Sequence, residues 1–121
     1  MNQPSNPEVV VLCSDLFFSS SIEGTASQHA VSCRVVGSVD QLTELLARGA
    51  VRRVIVDLEF PNLDPVSSVD LLPESPRPET VGFGPHVKVD QLKAAREAGI
   101  DQVMPRSQFS EQLSQILAGQ H

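Results

Sequence analysis

Tryptophan and tyrosine are both missing from this chain. Neither concentration nor binding can therefore be followed by their absorbance or fluorescence. Only two cysteines are present, too few for a disulfide framework. If Cys13 ends a first strand and Cys33 opens its parallel neighbour, the two are offset by roughly 10 Å or more at about 3.3 Å per residue. That separation excludes a bridge between them. No Cys or His cluster has zinc-ligand spacing. Excess basic charge is also missing. The formal net charge is −6, which argues against a surface that tracks phosphates and hence against a nucleic-acid partner. Arg52-Arg53 is the one adjacent basic pair. No apolar run approaches the length of a membrane span, so no membrane partner is expected. Neither a GxGxxG nor a GxxxxGK[ST] loop occurs, and there is no nucleophile elbow.

What remains is ordinary for a soluble globular chain. The 121 residues fit one domain with a respectable core, and 40% are hydrophobic and 20% charged. Residues 1–7 are polar and carry Pro4 and Pro7. They read as a flexible arm rather than a signal peptide, which places the protein in the cytoplasm. Residues 8–118 form the expected domain, and residues 119–121 a frayed tail.

The organising stretch is Val54-Ile55-Val56-Asp57-Leu58-Glu59-Phe60-Pro61. Three β-branched residues in a row predict a strand buried on both faces. The run stops on a carboxylate. A core strand has no use for Asp57, so the acid belongs just past the strand's C-terminal end, the edge where open parallel sheets gather ligands and chemistry. The plainer alternative is that Asp57 starts a loop or caps a backbone amide.

Around this stretch the chain alternates strand and helix. Val9-Val10-Val11-Leu12 is a first strand within Glu8–Cys13, followed by the polar Ser14-Asp15. Phe18, Ile22, Ala26 and His29 recur at helical spacing. The serines and Gly24 of this helix are weak helix formers, so packing must hold it. Val31–Val36 is the second strand. Ser38 and Gln41 have capping-box spacing, Leu42, Leu45 and Leu46 form a stripe, and Gly49 stands where a C′ glycine belongs. A brief third helix with Val66, Val69 and Leu72 should stop before Pro73. Thr80–Phe83 is a short fourth strand, weakened by Gly82, and Gly84-Pro85-His86 follows it. Val89, Leu92, Ala95 and Ala98 mark a fourth helix that ends at Gly99. Gln102–Met104 is the fifth strand, with Pro105-Arg106-Ser107 as its exit loop. Ser107 or Ser110 caps a last helix carrying Phe109, Leu113, Ile116 and Leu117. Five strand–helix units predict an α/β fold, a doubly wound parallel sheet with helices on both faces and right-handed crossovers.

In such a sheet all strand exits share one edge. Ser14, Asp15, Asp57, Gly84, His86, Arg106 and Ser107 should therefore converge, although they are far apart in sequence. Two neighbouring carboxylates suit a hard cation such as Mg²⁺. An arginine beside them pairs with a carboxylate or, bidentately, with a phosphate. A salt bridge between Asp57 and Arg106 that merely fills the space is the plainer reading. For His86 it is a surface or capping role.

These landmarks make the chain resemble the receiver domain of bacterial response regulators, the flavodoxin-like module of two-component signalling. The resemblance spans roughly Glu8 to Leu117. It rests on Asp15 after the first strand, on Val56-Asp57-Leu58-Glu59-Phe60-Pro61, and on Ala98-Gly99-Ile100-Asp101, where the family usually shows Ala-Gly-Ala-Asp. It implies strand order 2-1-3-4-5, with the switch point beside Asp57. It makes Asp57 the acceptor of phosphate from a histidine kinase. Asp15, Asp57 and the backbone carbonyl of Glu59 would be Mg²⁺ ligands, with Ser14 a weak one. Arg106, Gly84, Ser107 and His86 are candidates for holding a phosphoryl group or another anion. Several positions depart from the family. Ser14 stands for the first acid of the metal pair, and Gly84 for the hydroxyl residue that ends strand four. Arg106 replaces a lysine, Ser107 a proline, and Val103 the aromatic switch residue. The expected function is a stand-alone, atypical receiver that docks a protein partner, a kinase or an effector. Docking would use the face of the fourth helix, fifth strand and last helix, which could also serve a homodimer. Phosphorylation would be weak or absent. One alternative is a sensor binding an anionic metabolite or nucleotide in a crevice widened by Gly84. The other is an enzyme using Asp57, His86 and Arg106.

Overall fold

The computed structural model describes residues 7–61, 63–64, 69–74 and 77–118. Its elements are β1 (Val9–Leu12), α1 (Leu16–Gln28), β2 (Cys33–Val36), α2 (Val39–Ala47), β3 (Arg53–Asp57), β4 (Glu79–Gly84), α3 (Val89–Ala98), β5 (Gln102–Pro105), α4 (Arg106–Glu111) and α5 (Leu113–Ala118). The strands form one five-stranded, all-parallel sheet in the order β2-β1-β3-β4-β5, as expected. Apart from Pro7, the expected arm over 1–7 lies outside the described residues, as does the tail over 119–121. So does Val66 of the expected third helix. Beyond it, Val69 and Asp70 are helical and the Leu72 amide donates to the Val69 carbonyl.

The strands are buried on both faces because helices cover both. Alternate residues of β1 point to opposite cores. Val9 and Val11 pack with Ile55, Phe83, Phe109, Ile116 and Leu117, against α1, α4 and α5. Val10 and Leu12 pack with Val54, Val56, Leu42, Leu46 and Leu92, against α2 and α3. This side-to-side alternation is the period-2 geometry of a strand. It explains why β1 and β3 read as continuous apolar runs.

Local expectations hold unevenly. Ser38 caps α2 by accepting from the Gln41 amide, and Gly49 follows with φ +82°. Gly99, at φ +107°, ends α3 in the left-handed region that glycine tolerates. His29 does not belong to the buried stripe of α1. It lies beyond Gln28 as the exposed C-cap. The fourth strand is not short: β4 runs six residues. At Gly82 a Cβ would press on Leu58 Cδ2 at 3.3 Å. The missing side chain makes room for the core. The last helix is broken at Gln112 into α4 and α5.

The largest correction is at the fifth strand's exit. Pro105 closes β5 and Arg106 opens α4 at once, so no exit loop exists there. Pro105 is the N-cap, with no side-chain cap, so neither Ser107 nor Ser110 serves as one. Proline suits this junction because its fixed φ is compatible with the extended backbone that ends β5, and it brings no N–H of its own that would need a partner.

Candidate functional site

Strand order places the switch of winding direction between β1 and β3, and Asp57 closes β3 there. Its side chain is buried, with the residue 2% exposed. Oδ1 accepts from the Glu59 amide at 2.9 Å. Oδ2 faces the Cys13 thiol at 3.7 Å and Arg106 Nη2 at 3.7 Å. Burial pushes the Asp57 carboxyl above its ordinary value, against the opposing pull of the Glu59 amide and Arg106.

Cys13 reaches Asp57 through strand register. Leu12 pairs with Val56, so the next residue of each strand comes side by side. The thiol is buried and its pKa is raised, chiefly by that burial. The two residues that directly follow β1 are thus Cys13 and Ser14, and the latter is exposed. Asp15 comes one residue later and has a different task. Its Oδ1 accepts from the Phe18 amide at 3.1 Å and caps α1. Its Oδ2 lies 3.3 Å from Arg106 Nη1. The Phe18 amide first, with help from Arg106, holds this carboxyl below its ordinary value.

Arg106 therefore stands between the two acids. Its Cζ also sits 4.8 Å from the Phe18 ring centroid and 5.4 Å from that of Phe83. Phe83 stacks on Phe109 at 4.4 Å, which fixes one wall of the cage. A cation on the first residue of a helix is disfavoured by the helix dipole. Acids and rings together hold it in place.

A second cluster lies over Gly84. Glu59 accepts from Gln91 Nε2 at 2.8 Å and from Lys88 Nζ at 3.2 Å. Gln91 first, then Lys88, lowers the Glu59 carboxyl. The Gln91 carboxamide is thereby set against Gly84, and a Cβ added to Gly84 would meet Gln91 Oε1 at 2.7 Å. Gly84 does not widen a crevice, because Gln91 fills the space its side chain would take. Gln91 Oε1 is itself buried without a hydrogen-bond partner.

Of the expected residues, the structure brings Asp15, Asp57 and Arg106 together. It separates others from them. His86 is exposed in the turn after β4 and joins no ion pair of this edge, so an acid–base arrangement with Asp57 is not assembled. Ser107 is exposed, one residue inside α4. Sequence reasoning missed Cys13, the Phe18–Phe83 cage and Gln91. Cys13 had a signal, since equal runs of four residues from Val9 and from Arg53 leave it opposite Asp57.

The donor set is a poor match for a resident Mg²⁺. Among the described residues no group of three or more His, Cys, Asp or Glu side chains is placed to hold a metal. Two carboxylates converge, a thiol faces one of them, and a guanidinium already lies between. Mg²⁺ takes an octahedron of oxygens, several of them water, around one or two carboxylates, so what counts against it here is the guanidinium between the acids rather than their number. The guanidinium stands where an ion shared by the two acids would sit.

No protein-family model matches the sequence, and no curated protein matches it. Solved structures do. A response-regulator receiver domain from Bermanella marisrubri superimposes with a TM-score of 0.78 at 15% identity, covering 92% of this chain and 94% of that one. The receiver domain of NtrX from Brucella abortus gives 0.77 at 16%, covering 93% and 96%. The receiver domain of the sensor histidine kinase PA1611 from Pseudomonas aeruginosa PAO1, which has a magnesium ion coordinated in its active-site cleft, gives 0.72 at 14%, covering 95% and 99%. The fold of this chain is that of a response-regulator receiver domain.

Proposed function

We propose that this chain is a receiver-like signalling module of the cytoplasm that acts by docking a protein partner, with phosphorylation of Asp57 weak or absent. The observation that carries the reading is the state of Asp57. Its position at the end of the central strand suits a phosphoacceptor, yet both of its oxygens are engaged inside the protein. Phosphoryl transfer depends on cations that offset charge as it develops. Among the described residues, the cation that reaches Asp57 is Arg106, and it is already paired with Asp15.

A switch would also lack its moving parts. Gly84 offers no hydroxyl, and Val103 offers no aromatic ring to turn inward. Without differential contacts a bound phosphoryl group would shift no equilibrium. Docking is supported by apolar side chains left in solvent at the same edge of the sheet. Phe17 is 91% exposed and Leu16 81%, both at the start of α1, and Val87 and Val89 lie exposed where α3 begins. The face of α3, β5, α4 and α5 is the proposed docking surface, and Val87 and Val89 leave apolar side chains exposed where its α3 begins. A second copy of the chain is the competing occupant of that face.

The test is an amide NMR titration with Mg²⁺ and beryllofluoride, a mimic of an aspartyl phosphate. The expected result is no saturable change in α3 or β5. Saturable shifts reaching both elements would overturn the reading and restore a phosphorylation switch.

A further inference from the structure

We infer that Arg106 is the resident cation of the Asp57 edge, taking the place of a divalent metal and excluding it. The inference deepens the proposed function, since it rests on that reading of the edge and names what keeps the site unresponsive.

Three features of the chain support it. The guanidinium bridges the acids, 3.3 Å from Asp15 Oδ2 and 3.7 Å from Asp57 Oδ2, and so occupies the ground a shared cation would need. It is also flanked by aromatic rings. Phe18 comes from α1 and Phe83 from β4, and both rings lie within cation–π reach of it. Rings from two elements limit the directions in which the side chain can swing, even though its ion-pair contacts are longer than locking hydrogen bonds. Finally, the oxygens are depleted from the other direction. Asp15 Oδ1 caps α1 and Asp57 Oδ1 accepts from Glu59, while the residue beside Asp57 across the strands is a thiol. Sulfur is a poor donor to Mg²⁺. A divalent ion approaching this edge meets a positive charge and few free oxygens.

The placement also joins elements that are otherwise separate. Arg106 opens α4, Asp15 caps α1 and Asp57 ends β3, so one side chain ties three chain segments at the sheet's C-terminal edge.

Manganese is the probe, because its unpaired electrons broaden nearby amide signals. In the intact wild-type chain, the amides of Asp15, Asp57, Leu58 and Glu59 should stay sharp while Mn²⁺ is added. In Arg106→Met, which keeps an apolar stem between the rings, the same amides should broaden selectively at roughly tenfold less Mn²⁺ or lower. Adding Asp15→Asn to Arg106→Met should abolish that gain. Selective broadening of these amides in the wild type at the same concentration would overturn the inference. So would an Arg106→Met protein that folds and still admits no metal. Should Arg106→Met fail to fold, the wild-type titration and Arg106→Gln still decide. Mg²⁺ shifts confined to this edge would sink the inference alone. Shifts with beryllofluoride that reach α3 and β5 would sink the function reading as well.

Discussion

At the N-terminal edge of the sheet, Arg53 is 6% exposed and nearly all of its donors have partners. Nε donates to Glu79 at 3.0 Å, Nη2 also pairs with Glu79, and Nη1 donates to the Ile116 carbonyl at 2.6 Å. Arg52 beside it pairs with Glu8 and reaches the Leu117 carbonyl. These two arginines satisfy carbonyls in the last turn of α5, where a helix leaves acceptors unpaired and favours positive charge. At the C-terminal edge Arg106 has longer contacts, at 3.3 and 3.7 Å, and its side chain is 33% exposed. Charge-assisted hydrogen bonds that lock a structure run nearer 2.7–2.9 Å. One edge is therefore a tie and the other a paired site that water still reaches.

The sharpest way to break this comparison is to remove each arginine in turn. Arg53→Ala should cost about 3 kcal/mol, because it strands a buried carbonyl and leaves Glu79 without its cation. Arg106→Ala should cost under about 1 kcal/mol, as partly exposed ion pairs usually do. Urea unfolding followed by far-UV circular dichroism reads both, since no tryptophan or tyrosine is present. Equal losses at the two positions would erase the distinction between tie and site.

How much of this could be read from residues alone follows the same division. The fold was legible because it rests on local, repeated signals. Val54-Ile55-Val56 could only be a strand buried on both faces, and Leu42, Leu45 and Leu46 could only be one stripe of a helix. The convergence of Asp15, Asp57 and Arg106 followed from topology, because parallel strands share one exit edge. What did not follow was side-chain assignment within about one residue. Asp15 looked like half of an acid pair, and it is a helix cap. Cys13 read only as the end of a strand, and it lies in the core against Asp57. Pro105-Arg106-Ser107 looked like a loop, since proline marks both turns and helix starts. Gly84 looked like empty space, because Gln91 stands seven positions later and only the turn of α3 brings it back.

A variant of opposite sign sharpens the comparison at Asp57. Burial holds its carboxyl above the ordinary value of 3.8, so the folded protein keeps this proton more tightly than the unfolded chain does. The associated stability is fully present below that value and is lost as pH rises through the folded pKa. Asp57→Asn has no such loss. The variant should be more stable than the wild type at neutral pH, by about 1 kcal/mol, as when a buried charge gives way to a neutral group. Its advantage should shrink and vanish as pH falls toward the ordinary carboxylate range. Thermal unfolding across that span checks the trend. An Asn variant that is less stable at pH 7 would mean that the Arg106 pairing outweighs the burial cost, and the edge would be a tie after all.

The smallest effect is at Gly84, and it tests whether this edge gives way. An added methyl would meet Gln91 Oε1 at 2.7 Å, with Leu58 and Leu92 at an ordinary 3.5 Å. The colliding atom ends a flexible side chain, so Gln91 should swing out and lose its bond to Glu59. Gly84→Ala should cost about 0.5–1 kcal/mol, the worth of one such hydrogen bond. In a Gln91→Ala background the clash is gone, and the same change should be neutral or slightly stabilising, because glycine is a poor strand residue. The two substitutions should therefore couple in a double-mutant cycle, as contacting residues do. Additive effects would mean that Gln91 does not plug the space. The crevice over Gly84 would then be open to a small ligand, and the sensor reading would regain the feature that it lacks.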